Sequence, residues 1–338
     1  MYPKFYQTRF FATFFIFFMM SIVIFYYAGQ INSAKEKIEN NDIQQNDAES
    51  IFTNIQFFFQ GASQRAIVTA RKLFFSGDEY AEMYDASGRI FDKKLFIDFK
   101  AGYINYQRDL QKIYFKTNVQ VDFKKSYHKT DELTYFMDTK IVESVGHVES
   151  FLKDPKTSDE LVVTSSYMKA KTDGEFFEYK HNVELKLSRK RKYESGYFAR
   201  TDFLGYDASV STLNMTGNIK LSKDNYVLTA GRANFLLENH NKTLKYFTFY
   251  DDVKMEEKMP NAVILRNGKK DLVRRAFAEE FEGFISDRLF VLSGSPKVVH
   301  GDNVIKGYRI ILKEKVDLVE VEESQSKFKL PKKEKNAN

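Results

Sequence analysis

IYFKTNVQVDF, residues 113–123, alternates apolar and polar side chains along its length. Ile113, Phe115, Val119, Val121 and Phe123 fall on one side, with only Thr117 interrupting. Tyr114, Lys116, Asn118, Gln120 and Asp122 fall on the other. A period of two is the signature of a β-strand with one face toward a dry interior and one toward water. Val183, Leu185 and Leu187 alternate with Glu184, Lys186 and Ser188 in the same way. Tyr308, Ile310 and Leu312 do so near the C-terminus, although Ile311 places an apolar group on the polar face.

The same local signature recurs. KTNVQV (116–121), VGHVES (145–150), KHNVEL (180–185), TGNIKL (216–221), YDDVKM (250–255) and, more loosely, SGSPKVV (293–299) each set a Gly, Asn or Asp just before an apolar strand residue. These residue types tolerate the positive φ of a tight turn or bulge. The copies lie about 30–45 residues apart, room for two or three strands each. Three share an upstream half: LVVTSSYMKAK (161–171), YVLTAGRANFL (226–236) and LVRRAFAEEFEG (272–283). No long amphipathic helical pattern separates the strands, so parallel crossovers are not expected. The pattern predicts an all-β, antiparallel protein with two facing sheets, a sandwich or jelly roll. The turn-rich stretch Arg189–Gly196 divides it into lobes at 51–190 and 191–326. The Lys-rich residues 327–338 read as a disordered tail.

Composition fits a folded chain. Of 338 residues, 43% are apolar and 29% charged, which is outside the range of a disordered polymer. The 33 Phe and 20 Tyr favour strands. With no cysteine, disulfides, thiolate metal sites, thiol nucleophiles and lipidated cysteines are excluded. The net charge of +6 peaks at Arg189, Lys190, Arg191 and Lys192. No basic stripe or reading motif for nucleic acid accompanies this cluster. It reads as a solvated turn or, if it binds anything, as a site for anionic headgroups or an acidic saccharide.

Residues 10–30 carry no charge, and 10–27 read FFATFFIFFMMSIVIFYY. A hydrocarbon core of about 30 Å takes roughly 20 such residues as a helix. Phe10, Phe14, Phe18 and Ile22 would face lipid, and Tyr26 and Tyr27 suit the interfacial aromatic belt. A cleaved leader has a shorter apolar run ending in small residues, so an uncleaved transmembrane signal anchor is expected. Lys4 and Arg9 precede the span without an acid, which puts residues 1–9 in the cytoplasm and the rest outside. Residues 31–50 read as a polar linker.

Catalytic signatures are missing. His128, His147, His181, His240 and His300 stand apart from one another in metal-ligand spacing. His147 and His181 occupy the repeated turn positions, where Asn218 stands in another copy. Ser293 lacks the flanks of a nucleophile elbow. Asp251-Asp252 and Glu279-Glu280 fall beside turns or on solvent faces, and no nucleotide-binding loop is present. No enzyme activity, cofactor or metal is expected. A periplasmic enzyme acting on envelope glycans would need a pocket built from distant residues.

Two stretches resemble the OstA/LptA/LptC family of lipopolysaccharide transport. AEMYDASGRIFDKKLFIDFKAGYINY (81–106) is similar to the opening of an LptC periplasmic domain, with a Tyr-Asp-x-x-Gly hairpin leading into a strand. LSGSPKVVHGDNVIKGYRIILKEKVDLVEV (292–321) is similar to the closing strands of an LptA-type domain. With TGNIKLSKDNYVLTAGRANFLLE (216–238) between them, the resemblance covers most of 55–325, and the anchor matches the bitopic LptC. It implies an extended, open V-shaped β-jellyroll whose groove receives lipopolysaccharide acyl chains. It also implies partners: an inner-membrane ABC transporter complex of the LptB/LptF/LptG type, and a periplasmic LptA-like protein joined by strand-edge pairing. The inward positions Phe115, Val119, Val121, Val183, Leu185, Ile219, Leu221, Phe247, Phe249, Val253 and Met255 would then line the groove. The competing expectation is a membrane-tethered β-sandwich scaffold, in which the same residues form an ordinary core.

Overall fold

The computed structural model describes residues 50–327, apart from 61–63, 77–79, 93–94, 108, 124–125, 137, 154–157, 172–174, 191–194, 239–243, 265–269 and 314–317. The expected signal anchor, most of the expected linker and nearly all of the expected basic tail lie outside the described residues. Among these residues there is no α-helix, and so none long and apolar enough to cross a membrane.

The chain divides into two compact units, Met1–Val183 with Asp207–Ser209, and Glu184–Tyr206 with Val210–Asn338. The first is a meander of long strands: β1 (Ser50–Gln60), β2 (Gln64–Ser76), β3 (Tyr80–Asp92), β4 (Leu95–Gln107), β5 (Lys112–Phe123), β6 (Ser126–Phe136), β7 (Ile141–Lys153) and β8 (Glu160–Lys171). Each pairs antiparallel with the next. The strand β9 (Phe176–Ser188) crosses the boundary between the units.

Each odd-numbered strand from β1 to β9 breaks step at its middle. Positive φ values occur at Asn54, Asp85, Thr117 and Asn118, Gly146, and His181 and Asn182. The register slips at the corresponding points, for example between Lys116 and Val119 on β5 against Glu132 and Thr130 on β6. These bulges are the repeated signature read from the sequence. They lie inside continuous strands, not between strands, so each repeat is one odd and one even strand. The Tyr84–Gly88 segment expected as a hairpin is likewise mid-strand in β3. Its bulge is at Asp85, Gly88 sits beneath the Phe99 ring, and the true reversal follows Asp92.

A bulge bends and twists its strand, and here it divides each strand between two layers. In unit 1, His128 precedes the bulge line on β6 and Ser144 precedes it on β7, so antiparallel pairing puts them in different halves. Yet His128 Nε2 lies 2.9 Å from Ser144 Oγ. Tyr179 Oη donates to Ser150 Oγ at 3.0 Å, again from one half to the other. The two halves of the strands therefore face each other across a shared interior.

The even strands carry a small buried residue at the bend: Ala70, Ala101, Thr130 and Ser165 in unit 1, and Thr201, Ala230 and Ala278 in unit 2. Space is least where the layers meet, and a hydroxyl there also serves carbonyls that the bulge takes out of the ladder. Thr130 Oγ1 lies 3.0 Å from the carbonyls of both Glu132 and Val145. Thr201 Oγ1 does the same for Phe203 and Thr216. On the outside, side chains staple the bulges. Asp131 accepts from the His147 backbone N–H at 2.9 Å, Asn218 donates to Asp202 at 2.6 Å, and Arg232 pairs with Asp251.

Unit 2 continues the construction with β10 (Tyr197–Asp207), β11 (Thr212–Lys223), β12 (Tyr226–Leu237), β13 (Leu244–Ile264) and β14 (Lys270–Phe284). Its bulges are at Gly217 and Asn218, and Asp251 and Asp252. After β14 the break is complete. Residues Glu280–Phe284 pair with β15 (Leu289–Ser293) and Arg274–Phe277 with β16 (Lys297–His300), separated by Gly294 and Ser295 at positive φ. The two layers then run on separately, as β15, β18 (Arg309–Lys313) and β19 (Leu318–Glu322), and as β16, β17 (Asn303–Lys306) and β20 (Gln325–Lys327). Tyr308, expected on the inward row of the last strands, falls in the gap between β17 and β18 and is 69% exposed.

Candidate lipid-binding interior

The alternation along each half-strand produces two apolar rows facing inward. In unit 1 the rows from β2 to β8 are closed. Leu73, Met83, Ile104, Ile113, Phe115 and Leu133 are buried in one half, and Val68, Val119, Val121, Val148 and Val163 in the other. At β1 the interior opens. Phe52 lies directly opposite Leu73 on the same face, yet it is 46% exposed where Leu73 is 3%.

Inside unit 1 the apolar lining is crossed by a hydrogen-bonded group. His128 Nδ1 lies 2.9 Å from Ser150 Oγ and its Nε2 the same distance from Ser144 Oγ, while Ser150 also receives the Tyr179 hydroxyl. All four residues are buried. Burial alone pushes the imidazole down to about 4, because charging it would mean placing a cation in a water-poor interior. It also pushes the Tyr179 phenol up, with the Ser150 hydrogen bond acting in the opposite, weaker sense. This group joins the two layers and sets hydrogen-bonded polar side chains among the apolar ones of β6, β7 and β9. No local pattern points to it, since His128 looks isolated until the strand folds over on itself.

Unit 2 is different in chemistry. Phe235, Phe247, Phe249, Phe281 and Phe290 gather in one layer, with ring centroids 5.5–6.4 Å apart in successive contacts. Phe247 lies over Gly283, its direct cross-strand partner, where an added Cβ would come within 2.2 Å of the ring. The glycine is what lets the ring lie flat against the sheet. The facing layer is built of smaller groups, Ile219, Leu228, Val253, Ala276 and Ala278, all buried.

The eleven inward positions picked from sequence all sit on inner rows. Phe115, Val119, Val121, Val183, Ile219, Phe249 and Val253 are fully buried, as in any sandwich core. Leu185, Leu221, Phe247 and Met255 are half-buried, all four in unit 2. Three further residues on the inner rows were missed: the buried Phe281, the half-buried Phe290 and, in unit 1, the exposed Phe52. Phe52 lies in a run of mixed pattern, and the two others show their face only once the registers of β14 against β13 and β15 are known.

Of the remaining expectations, His147 and His181 are on the bulge line, and His147 Nδ1 lies 2.9 Å from Asp131 at the surface. Among the described residues no three His, Asp or Glu side chains are grouped as a metal site would require.

No protein-family model matches the sequence, and no curated protein matches it. Among solved structures the chain is similar to the crystal structure of LptH from Pseudomonas aeruginosa, the LptA-homologous periplasmic component of the conserved lipopolysaccharide transport device. The match has 14% sequence identity and a TM-score of 0.33, and it covers 40% of this chain and 95% of that one.

Proposed function

We propose that this protein is a membrane-anchored, LptC-like component of lipopolysaccharide transport. Its N-terminus is cytoplasmic and its β region periplasmic. It receives lipopolysaccharide from an inner-membrane ABC transporter of the LptB/LptF/LptG type and holds the acyl chains between its two layers. It passes the lipid toward the outer membrane through a periplasmic LptA-like protein added at a strand edge. The observation that carries this reading is the interior of unit 2. There, apolar rows on both layers pass from buried residues such as Ile219 and Val253 to half-exposed ones such as Leu221, Met255 and Phe247. Apolar surface left partly in water is costly, and a lipid chain would cover it. The exposed β1, paired on one side with β2, suits strand addition.

A photo-crosslinking residue replacing Phe247 or Leu221 in the full-length protein in cells tests the reading. Adducts with lipid A-containing glycolipid are expected at both positions and not at the outward Lys220. Labelling confined to Lys220 would sink the proposal.

The second reading, a tethered scaffold without lipid transport, is favoured by unit 1, where the interior is closed and crossed by the His128 group. It predicts protein partners at β1 and no lipid adduct at either inward position. An enzyme is not proposed.

A further inference from the structure

Three inward rows of unit 2 end at the same margin in polar groups. The row Leu185, Leu187 on β9 continues to Arg189, the row Thr201, Ala199 on β10 ends at Tyr197, and the row Ile219, Leu221 on β11 ends at Lys223. They border an open cleft of about 480 Å³, which Leu187 and Phe198 also line. Among the described residues its charged lining is three cations, Lys186, Arg189 and Lys223, against one carboxylate, Asp224. Two of these cations, Lys223 and Arg189, lie against one aromatic ring. Lys223 Nζ donates to Tyr197 Oη at 3.0 Å and sits 4.7 Å from the ring centroid. The Arg189 guanidinium lies 6.0 Å from the same centroid. An ammonium and a guanidinium anchored to one phenol ring lose less freedom when they bind an anion than two free surface chains would.

We infer that this cleft is a binding site for a phosphate-type anion, with Arg189 and Lys223 as its principal donors and Lys186 adding to the positive potential. Guanidinium and ammonium groups together match a tetrahedral oxyanion through charge-assisted hydrogen bonds. Because the cleft opens where apolar rows end, an amphiphile with its chain against Leu187 and Leu221 would bring its headgroup to these cations. The headgroup assignment rests on the lipid-carrying reading, whereas the anion site itself does not.

The test is a phosphorus NMR titration of the full-length protein in a neutral detergent, with inorganic phosphate, hexyl phosphate and the uncharged hexyl glucoside as probes. The expected result is hexyl phosphate binding at least tenfold tighter than inorganic phosphate, weakened at least tenfold by Arg189→Gln with Lys223→Gln. Lys220→Gln on the outward face of β11 should leave it unchanged, and hexyl glucoside should not displace it. Inorganic phosphate binding as tightly, with the same dependence on Arg189 and Lys223, would establish the anion site and assign it to free phosphate. Binding by neither probe, or binding indifferent to the double variant, would overturn the site. Lipid adducts at Phe247 would in that case still stand on their own. Lys223→Arg guards against a folding artefact, since it should retain the affinity that Lys223→Gln loses.

Discussion

Thr117 and Asn118 hold φ values of 67° and 53° in the middle of a long strand, a conformation that is uncommon for asparagine and a strong outlier for a β-branched residue. Gly102 on the neighbouring strand makes it possible, because a Cβ there would come within 3.0 Å of the Thr117 side chain. The bulge thus costs energy locally and is retained because it folds the strand. Replacing Thr117 by Gly should leave urea stability unchanged or raise it by up to about 1 kcal/mol, as relief of the left-handed conformation is partly offset by glycine's larger unfolded-state entropy. Gly217→Val should destabilise by about 2 kcal/mol or more in the same measurement, since φ there is 81° and its Cβ would lie 2.4 Å from Asp202 Oδ2.

His128 makes a pH prediction at the same scale. Its folded value near 4 lies below the ordinary value of 6.5, so the unfolded chain takes up a proton first as the pH falls. The stability is complete above about pH 6.5 and declines between there and about pH 4, by roughly 3 kcal/mol in all. Urea unfolding at pH 7 and pH 5 should show this fall, and His128→Gln should flatten it even if the variant is less stable throughout. An equal slope in both proteins would mean the histidine is not neutral inside.

Among the elements, β1 combines length with two adjacent exposed apolar side chains. It is 11 residues long, and its Ile51 and Phe52 are 57% and 46% exposed, whereas native edge strands are usually short, charged or covered. The lipid-transport and scaffold readings both require a partner strand there. Ile51→Lys together with Phe52→Lys should abolish that association, read as loss of a site-specific crosslink at Thr53. Thermal stability should change by less than about 1 kcal/mol, as is usual for exposed positions. A crosslink that survives would move the interface elsewhere.

At the scale of the whole molecule the two units share one construction but not one interior. Unit 1 closes its layers with a polar tie, and unit 2 lines them with phenylalanine and leaves several inward side chains half in water. A ligand that binds the folded form alone stabilises it by mass action. Lipid A-type amphiphile should therefore raise the thermal midpoint of the full-length protein in a concentration-dependent way. The shift should be reduced by replacing Phe247 with a polar residue such as Asn. A midpoint indifferent to the amphiphile would favour the scaffold.

The sequence by itself determined the strands, their inward faces and the repeat. Each of these is local: period-two alternation follows from backbone geometry, and Gly, Asn and Asp mark the positions that need positive φ. Ile113–Phe123 could be assigned correctly from eleven residues for that reason. Only the tertiary structure decided what the repeat does. A Gly-Asn before Ile219 fits a turn between strands as well as a bulge within one, and the choice depends on pairing with β12, set by residues up to Leu236. The same holds for the interior. Val183 and Leu185 are neighbours on one inward row, yet the first is buried and the second half in water, because burial depends on what faces a residue across the layers. His128 met Ser144, and Arg189 met Lys223 over Tyr197, through long-range folding that no local pattern records.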